Sequence, residues 1–306
     1  MTQVSFTADL SVLTSRLDRI EKNQEVILKA INSQKPAQPE PPAPTPDPVP
    51  DPQPAPLDVI LAIDFTKRAV GTYTDQMFKQ DFQTGTELKK KAPASIEVMG
   101  GKPGLISHYP KDTWGDAGGY NQVTELKNAK KLERARITYS VYFEPGFDFG
   151  VNNDAFVNKF PGLGFGPSKM LGSGGDGFRM KGKGATVRVL WEKYGQLAPY
   201  VYHHGTMPEY GDNLNAKEFF QIEAGKEYTI EIDVITNTVG KANGVMVVRV
   251  NGVERFRNTS LILRTADSPQ YIESLCFATF MGGGDSRFKS PKNQKMALYK
   301  LKLEQL

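Results

Sequence analysis

Apolar residues recur along this chain in two rhythms, separated by a stretch with none. Between residues 8 and 33 the rhythm is a heptad. Leu10, Leu17, Gln24 and Ile31 fall at its first core position, and Leu13, Ile20 and Ile27 at its second. Phe6 extends the second row backwards, and Arg16, Asp18, Arg19, Glu21, Lys22 and Glu25 fill outer positions. This seam predicts a short coiled-coil helix that self-associates, or an amphipathic helix that docks on a partner. Leu at the first position with Ile at the second leans toward states above dimer, and Gln24 is the one polar residue in the seam. From Pro36 to Pro56 proline occupies nearly every second position. Proline lacks the amide donor and fixes φ, so this stretch predicts an extended spacer, reaching roughly 60–70 Å at ~3.1 Å per residue. After Asp58 the rhythm becomes alternation. Val59 to Ile63, Ile137 to Phe143, Tyr228 to Val234 and Lys295 to Leu303 read as strands. Val245 to Val250, then Asn251-Gly252, then Val253 to Phe256 predicts a two-residue hairpin.

The pattern divides the chain into a helical segment (1–33), a Pro-rich linker (34–57) and an all-β domain (58–306). Many short strands with Gly- and Asn-rich turns, and no long helix after residue 58, predict two antiparallel sheets in a sandwich or jelly roll.

Charge sharpens this division. Residues 1–57 hold five Lys/Arg against seven Asp/Glu, a net of −2, so residues 58–306 carry +6 of a chain whose total is +4. A basic domain favours an anionic partner. Nucleic acid would fit the sign, but the basic residues are spread out and carry no nucleic-acid-binding motif, so none is expected. The single cysteine, Cys276, lies in the apolar run Leu275 to Ala278 and excludes an intrachain disulfide framework. Three histidines are too few for a His-rich metal site, and no metal or cofactor is expected. The Asp148, Asn152, Asn153, Asp154 group lacks EF-hand spacing, and Gly282-Gly283-Gly284-Asp285-Ser286 lacks the context of a phosphate loop. The opening Met1 to Phe6 has no basic n-region and no long apolar run, and no apolar stretch reaches the ~20 residues of a spanning helix. The expectation is a protein made in the cytoplasm without a signal peptide and without membrane insertion.

Candidate chemistry concentrates in Ala185 to His204. Alternation puts Thr186, Arg188 and Leu190 on one face, and Val187, Val189 and Trp191 on the other. Tyr200, Tyr202 and His204 share a face of the next strand, and the turn around Lys193 to Leu197 is short enough for a hairpin. If even positions pair with even, Arg188 lies beside both tyrosines. A fixed cation beside two phenols suits binding an acidic sugar and moving a proton on it. His203 points away from that face, and His108 has no partner visible in the sequence.

These residues also carry a resemblance. The Thr186-Val187-Arg188 strand ending in Trp191, the Tyr200-Val201-Tyr202 strand and the upstream turn Lys159-Phe160-Pro161-Gly162-Leu163 resemble polysaccharide lyase family 14. Tyr109-Pro110-Lys111, Tyr142 to Phe149 and Phe280-Met281-Gly282-Gly283 fit in order and spacing, over roughly residues 100 to 303. Thr186 stands where that family has Ser, keeping the hydroxyl but adding a methyl group and a stiffer rotamer. The loop from Gly150 to Asn158 replaces a shorter Gly-Gly approach to the lysine.

The resemblance implies a β-jelly roll that cleaves an acidic, uronate-containing polysaccharide by β-elimination. That chemistry needs a group to neutralise the carboxylate beside the C5 proton, a base for that proton and an acid for the leaving oxygen. Arg188 is the expected carboxylate ligand, because its planar charged fork matches a carboxylate. Tyr200 and Tyr202 are the acid and base in an order left open, and Lys159 either neutralises the carboxylate or assists proton transfer. Thr186 and His204 are expected to bind substrate. The helix and spacer then read as a tether, joining the head to itself or to a virion protein of a phage acting on a host capsule. The rival expectation is a non-catalytic carbohydrate-binding adhesin or fibre protein on the same fold.

Overall fold

The computed structural model describes residues 10–33, 57–84, 88, 94–115, 117–126, 131–150, 157–171, 183–205, 208, 210–216 and 219–306. The chain divides into two compact units, residues 1–55 and 56–306.

In the first unit the heptad segment is a single α-helix, Leu10–Ser33. Its seam residues Leu17, Ile20, Ile27 and Ile31 are all exposed. The spacer expected over residues 34–57 lies outside the described residues, except for Leu57. No helix among the described residues is long and apolar enough to cross a membrane.

In the second unit the described strands form two antiparallel sheets, of nine and seven strands. The larger runs Val253–Leu261, Gly244–Val250, Glu227–Ile235, Arg134–Phe143, Gln294–Gln305, Lys102–Tyr109, Ser95–Met99, Gly71–Thr72, and Asp58–Asp64 pairs with the Gln294–Gln305 strand. The smaller runs Phe220–Gln221, Gln196–Tyr202, Thr186–Glu192, Gly162–Phe165, Ile272–Ala278, Asn121–Glu125. Val157–Lys159 pairs with the far end of Thr186–Glu192. Strand neighbours that are remote in sequence, such as Arg134–Phe143 beside Gln294–Gln305, give the sandwich its jelly-roll connectivity.

The alternation read from sequence is what closes the sandwich. Ile137, Tyr139, Val141 and Phe143 point inward from one sheet, and Val187, Val189 and Trp191 from the other, all fully buried. Trp191 anchors the smaller sheet: its ring meets Phe143 at 5.0 Å, Phe147 at 5.4 Å, Phe149 at 5.6 Å and Tyr109 at 6.1 Å. Such a cage locks the register, because a slip by one residue would turn the indole outward. It also fixes Thr186 and Arg188 on the opposite, outer face. The Asn251-Gly252 hairpin is present, with φ of 51° and 77°, the two left-handed residues a type I′ turn requires. His108 does have a partner: Nε2 lies 2.9 Å from Ser95 Oγ and 3.2 Å from Glu97 Oε1, both on the paired Ser95–Met99 strand. A cross-strand partner of this kind is set by register, which sequence spacing does not reveal.

Candidate active site

The outer face of the smaller sheet forms the floor of a groove of about 710 Å³. Register builds the floor row by row. Tyr200 pairs with Arg188, and Tyr202 with Thr186. Even positions therefore pair with even, and the hairpin is closed by a short turn in which Tyr194 has φ 62°. On the other side of Arg188 lie Gly162, then Cys276, then Val123.

Gly162 sits at a close approach. A Cβ there would meet Val187 O at 2.2 Å and Arg188 Cγ at 2.5 Å. Any side chain at 162 would thus displace both the ladder and the stem of Arg188.

Lys159, Arg188, Thr186, Tyr200 and Tyr202 all line this groove. Lys159 Nζ stands 4.7 Å from the centre of the Tyr200 ring and 5.4 Å from that of Phe280. The Arg188 guanidinium is 5.2 Å from the same Tyr200 ring. Tyr200 and Tyr202 are hydrogen-bonded to each other at 3.1 Å between hydroxyl oxygens, with their rings edge to face. One phenol is therefore flanked by two cations and hydrogen-bonded to a second phenol.

The environment separates these groups electrostatically. Lys159 is buried, and that burial, reinforced by the Arg188 charge and only partly opposed by Glu192, brings its ammonium down to about 7. Tyr202 moves the other way. Burial, then Tyr200, holds its hydroxyl well above the usual phenol value, so it remains protonated across the working pH range. Arg188 remains charged at any such pH. Its Nε is buried without a protein partner, as is the hydroxyl of Thr186. Unpaired buried polar atoms each cost about 1–3 kcal/mol.

His204 stands apart from this group. The strand ends at Tyr202, and the His204 amide donates to Ile262 O, so its ring is not among the groove-lining residues. Burial holds its imidazole below the ordinary value. His203 is held by two contacts: its Nδ1 accepts from the Gly205 amide at 3.0 Å, leaving Nε2–H to donate to Asp212 Oδ2 at 3.0 Å. Asp148 Oδ1 accepts from the Gly150 amide, and Asn152, Asn153 and Asp154 lie outside the described residues.

Several groove residues were not read from the sequence as site residues. Phe280 approaches because its carbonyl accepts from the Lys159 amide at 3.2 Å. Cys276 is a buried free thiol in the floor, held protonated by burial. Tyr210 stands exposed at the rim. Among the described residues no group of three His, Cys, Asp or Glu could hold a metal ion.

Comparison with known proteins extends the geometry. Residues 99–301 match the family model Polysaccharide lyase 14. The alginate lyase Aly36B shares 23% identity over 80% of this chain and 96% of its own, with a TM-score of 0.65. The marine PL-14 alginate lyase from Aplysia kurodai shares 19% identity over 81% of this chain and 99% of its own, with a TM-score of 0.67. Alginate lyase vAL-1 from Chlorella virus shares 19% identity over 72% of this chain and 90% of its own, with a TM-score of 0.55. These likenesses establish a shared fold. No curated protein matches the sequence.

Proposed function

The chain belongs to the polysaccharide lyase 14 family, and on that premise we propose that its groove cleaves an acidic, uronate-containing polysaccharide by β-elimination. One observation carries this reading: a permanent cation, a buried lysine held near neutrality and a hydrogen-bonded pair of phenols meet in one groove. A variant of Aly36B has been solved with an alginate tetrasaccharide bound, which makes alginate the first polymer to test.

In the proposed reaction Arg188 pairs with the uronate carboxylate and stabilises the negative charge that spreads onto it as the C5 proton leaves. Thr186 donates to the same sugar. Neutral Lys159 takes the C5 proton, the C5–H electron pair forms the C4–C5 double bond, and the C4–O bond breaks. The departing oxygen receives its proton from Tyr200, which is resupplied through the hydrogen bond from Tyr202. No water is consumed. Lys159 suits the base because an amine near 7 is partly deprotonated at neutral pH yet still strongly basic. Arg188 suits the carboxylate because it cannot lose its charge.

The test is ultraviolet absorbance over time with alginate, polyglucuronate, hyaluronan and bacterial capsules. Elimination leaves a conjugated unsaturated uronate that absorbs where the substrate does not. A rising signal with at least one polymer is expected. Tight binding without that signal would instead make the domain a lectin.

We also propose that the Leu10–Ser33 helix self-associates in parallel and tethers the head to an assembly such as a phage virion. Four seam residues are exposed, and in a parallel pairing Arg16 of one helix faces Glu21 of the next. Light scattering should give a multiple of the chain mass for residues 1–306 and a monomer for residues 58–306. Equal monomeric masses would remove the self-associating stalk.

A further inference from the structure

The groove does not end at the residues assigned to catalysis. A second hollow of about 410 Å³ lies beside it, lined by Thr113, Trp114 and Ala117 among others. The two hollows share Gly115, Gly283 and Gly284. All three shared residues are glycines, so among the described residues the lining common to both hollows carries no side chain. Trp114 is 38% exposed at the far hollow, whereas Trp191 is fully buried.

The backbone that carries this exposed indole is held on both sides. The Thr113 hydroxyl donates to Pro110 O at 2.6 Å, and the Ser290 amide donates to Thr113 O at 2.9 Å. On the other side the Gly115 amide donates to Met281 O at 2.8 Å. The backbone on both flanks of Trp114 is thus tied down before any ligand arrives, which lowers that part of the ordering cost of binding. The same bonds set its distance from the chemistry. Lys159 bonds to Phe280, and Met281 bonds to Gly115, so the backbone beside Trp114 lies about two strand spacings, or ~10 Å, from the Lys159 backbone.

We propose that Trp114 is a stacking platform for a sugar of the same polymer, bound beyond the cleaved linkage. The inference rests on the lyase reading of the groove and adds to it a distal binding site. The flat indole face offers apolar area to one face of a pyranose, while the ring's hydroxyls and carboxylate stay in water. The consequence is a dependence on chain length. Oligomers long enough to span the glycine neck gain the contact, and the shortest cleavable oligomer does not.

The test uses a length ladder of alginate oligomers, or of whichever panel polymer is cleaved, with the full-length protein and its Trp114→Ala and Trp114→Phe variants. For Trp114→Ala, kcat/KM on long oligomers should fall about tenfold, the equivalent of ~1.4 kcal/mol. On the shortest cleavable oligomer it should be unchanged, and Trp114→Phe should recover most of the loss. Emission gives a second readout, because the chain has two tryptophans and Trp191 is buried. In Tyr202→Phe protein, a saturating long oligomer should shield the exposed indole from acrylamide, and that shielding should vanish with Trp114→Ala. Cleavage with equal losses at every length, or unshielded emission on saturation, would overturn the platform alone. Failure of the wild-type protein to bind or cleave any polymer would overturn the lyase reading and the platform with it.

Discussion

Lys159→Met is expected to give a protein that is more stable than the parent and inactive. A lysine titrates at 10.5 when solvated and at about 7 in this groove, so the fold works against its charge. The folded pKa lies below the unfolded one. Between about 7 and 10.5 the unfolded chain binds more protons, and stability therefore rises with pH across that window. Below about 7 both states hold the proton and the whole cost is present. Methionine fills similar volume without charge, so the gain should be greatest at and below neutral pH, on the order of a few kcal/mol, and should fade toward pH 10. Contacts of Nζ with the Tyr200 and Phe280 rings return part of the cost, which limits the gain. A rise in Tm of several degrees at pH 6 that shrinks at pH 9 is the expected calorimetric result. Activity should fall about 10³-fold or more, since no other buried amine is among the described residues that line the groove. A destabilised Lys159→Met protein would mean that the ammonium is a structural ion and not a tuned base.

Arg188→Ala is expected to be nearly as severe in activity, for a different reason. Its guanidinium is the one permanent charge among the described groove-floor residues Thr186, Arg188, Tyr200 and Tyr202. Without it the carboxylate has no bidentate partner, and the charge developing on it is unmatched. Loss of one such donor typically costs 10²–10³ in kcat, so kcat/KM should drop by about that factor. Arg188→Lys should recover only part of it, because an ammonium cannot reproduce the fork. The removed charge also acts on Lys159, which should titrate higher once Arg188 is gone. The residual activity of Arg188→Ala should therefore need higher pH. A residual profile shifted to lower pH would break the proposed coupling between the two cations.

Much of this was legible in the chain, and particular residues explain why. Thr186 to Trp191 alternates so cleanly that its two faces follow from the sequence, and the short turn before Gln196 forces Tyr200 beside Arg188. Asn251-Gly252 announced its hairpin by the same local logic. Local rules fail where the structure depends on long-range pairing. His204 continues the alternation of Tyr200 and Tyr202, yet the strand stops at Tyr202 and its amide turns to Ile262. His108 finds Glu97 only because two strands pair in one register. Phe280 and the Gly282 to Gly284 segment reach the groove through contacts with Lys159 and Gly115, more than a hundred residues away. Burial is equally invisible to spacing. The sequence places a lysine before Pro161-Gly162, but only the packed groove turns that lysine from a surface cation into an amine titrating at about 7.

The central claim is that Lys159 acts as a neutral base while Arg188 holds the carboxylate. The pH dependence of kcat/KM on the polymer that gives the ultraviolet signal tests it most directly, because this ratio reports titrations of the free enzyme. The expected profile rises through about pH 7 as Lys159 loses its proton. It then stays high, since Tyr202 remains protonated and able to resupply Tyr200. A profile that falls as pH passes 7 would contradict the claim and make the protonated lysine the carboxylate's counter-charge.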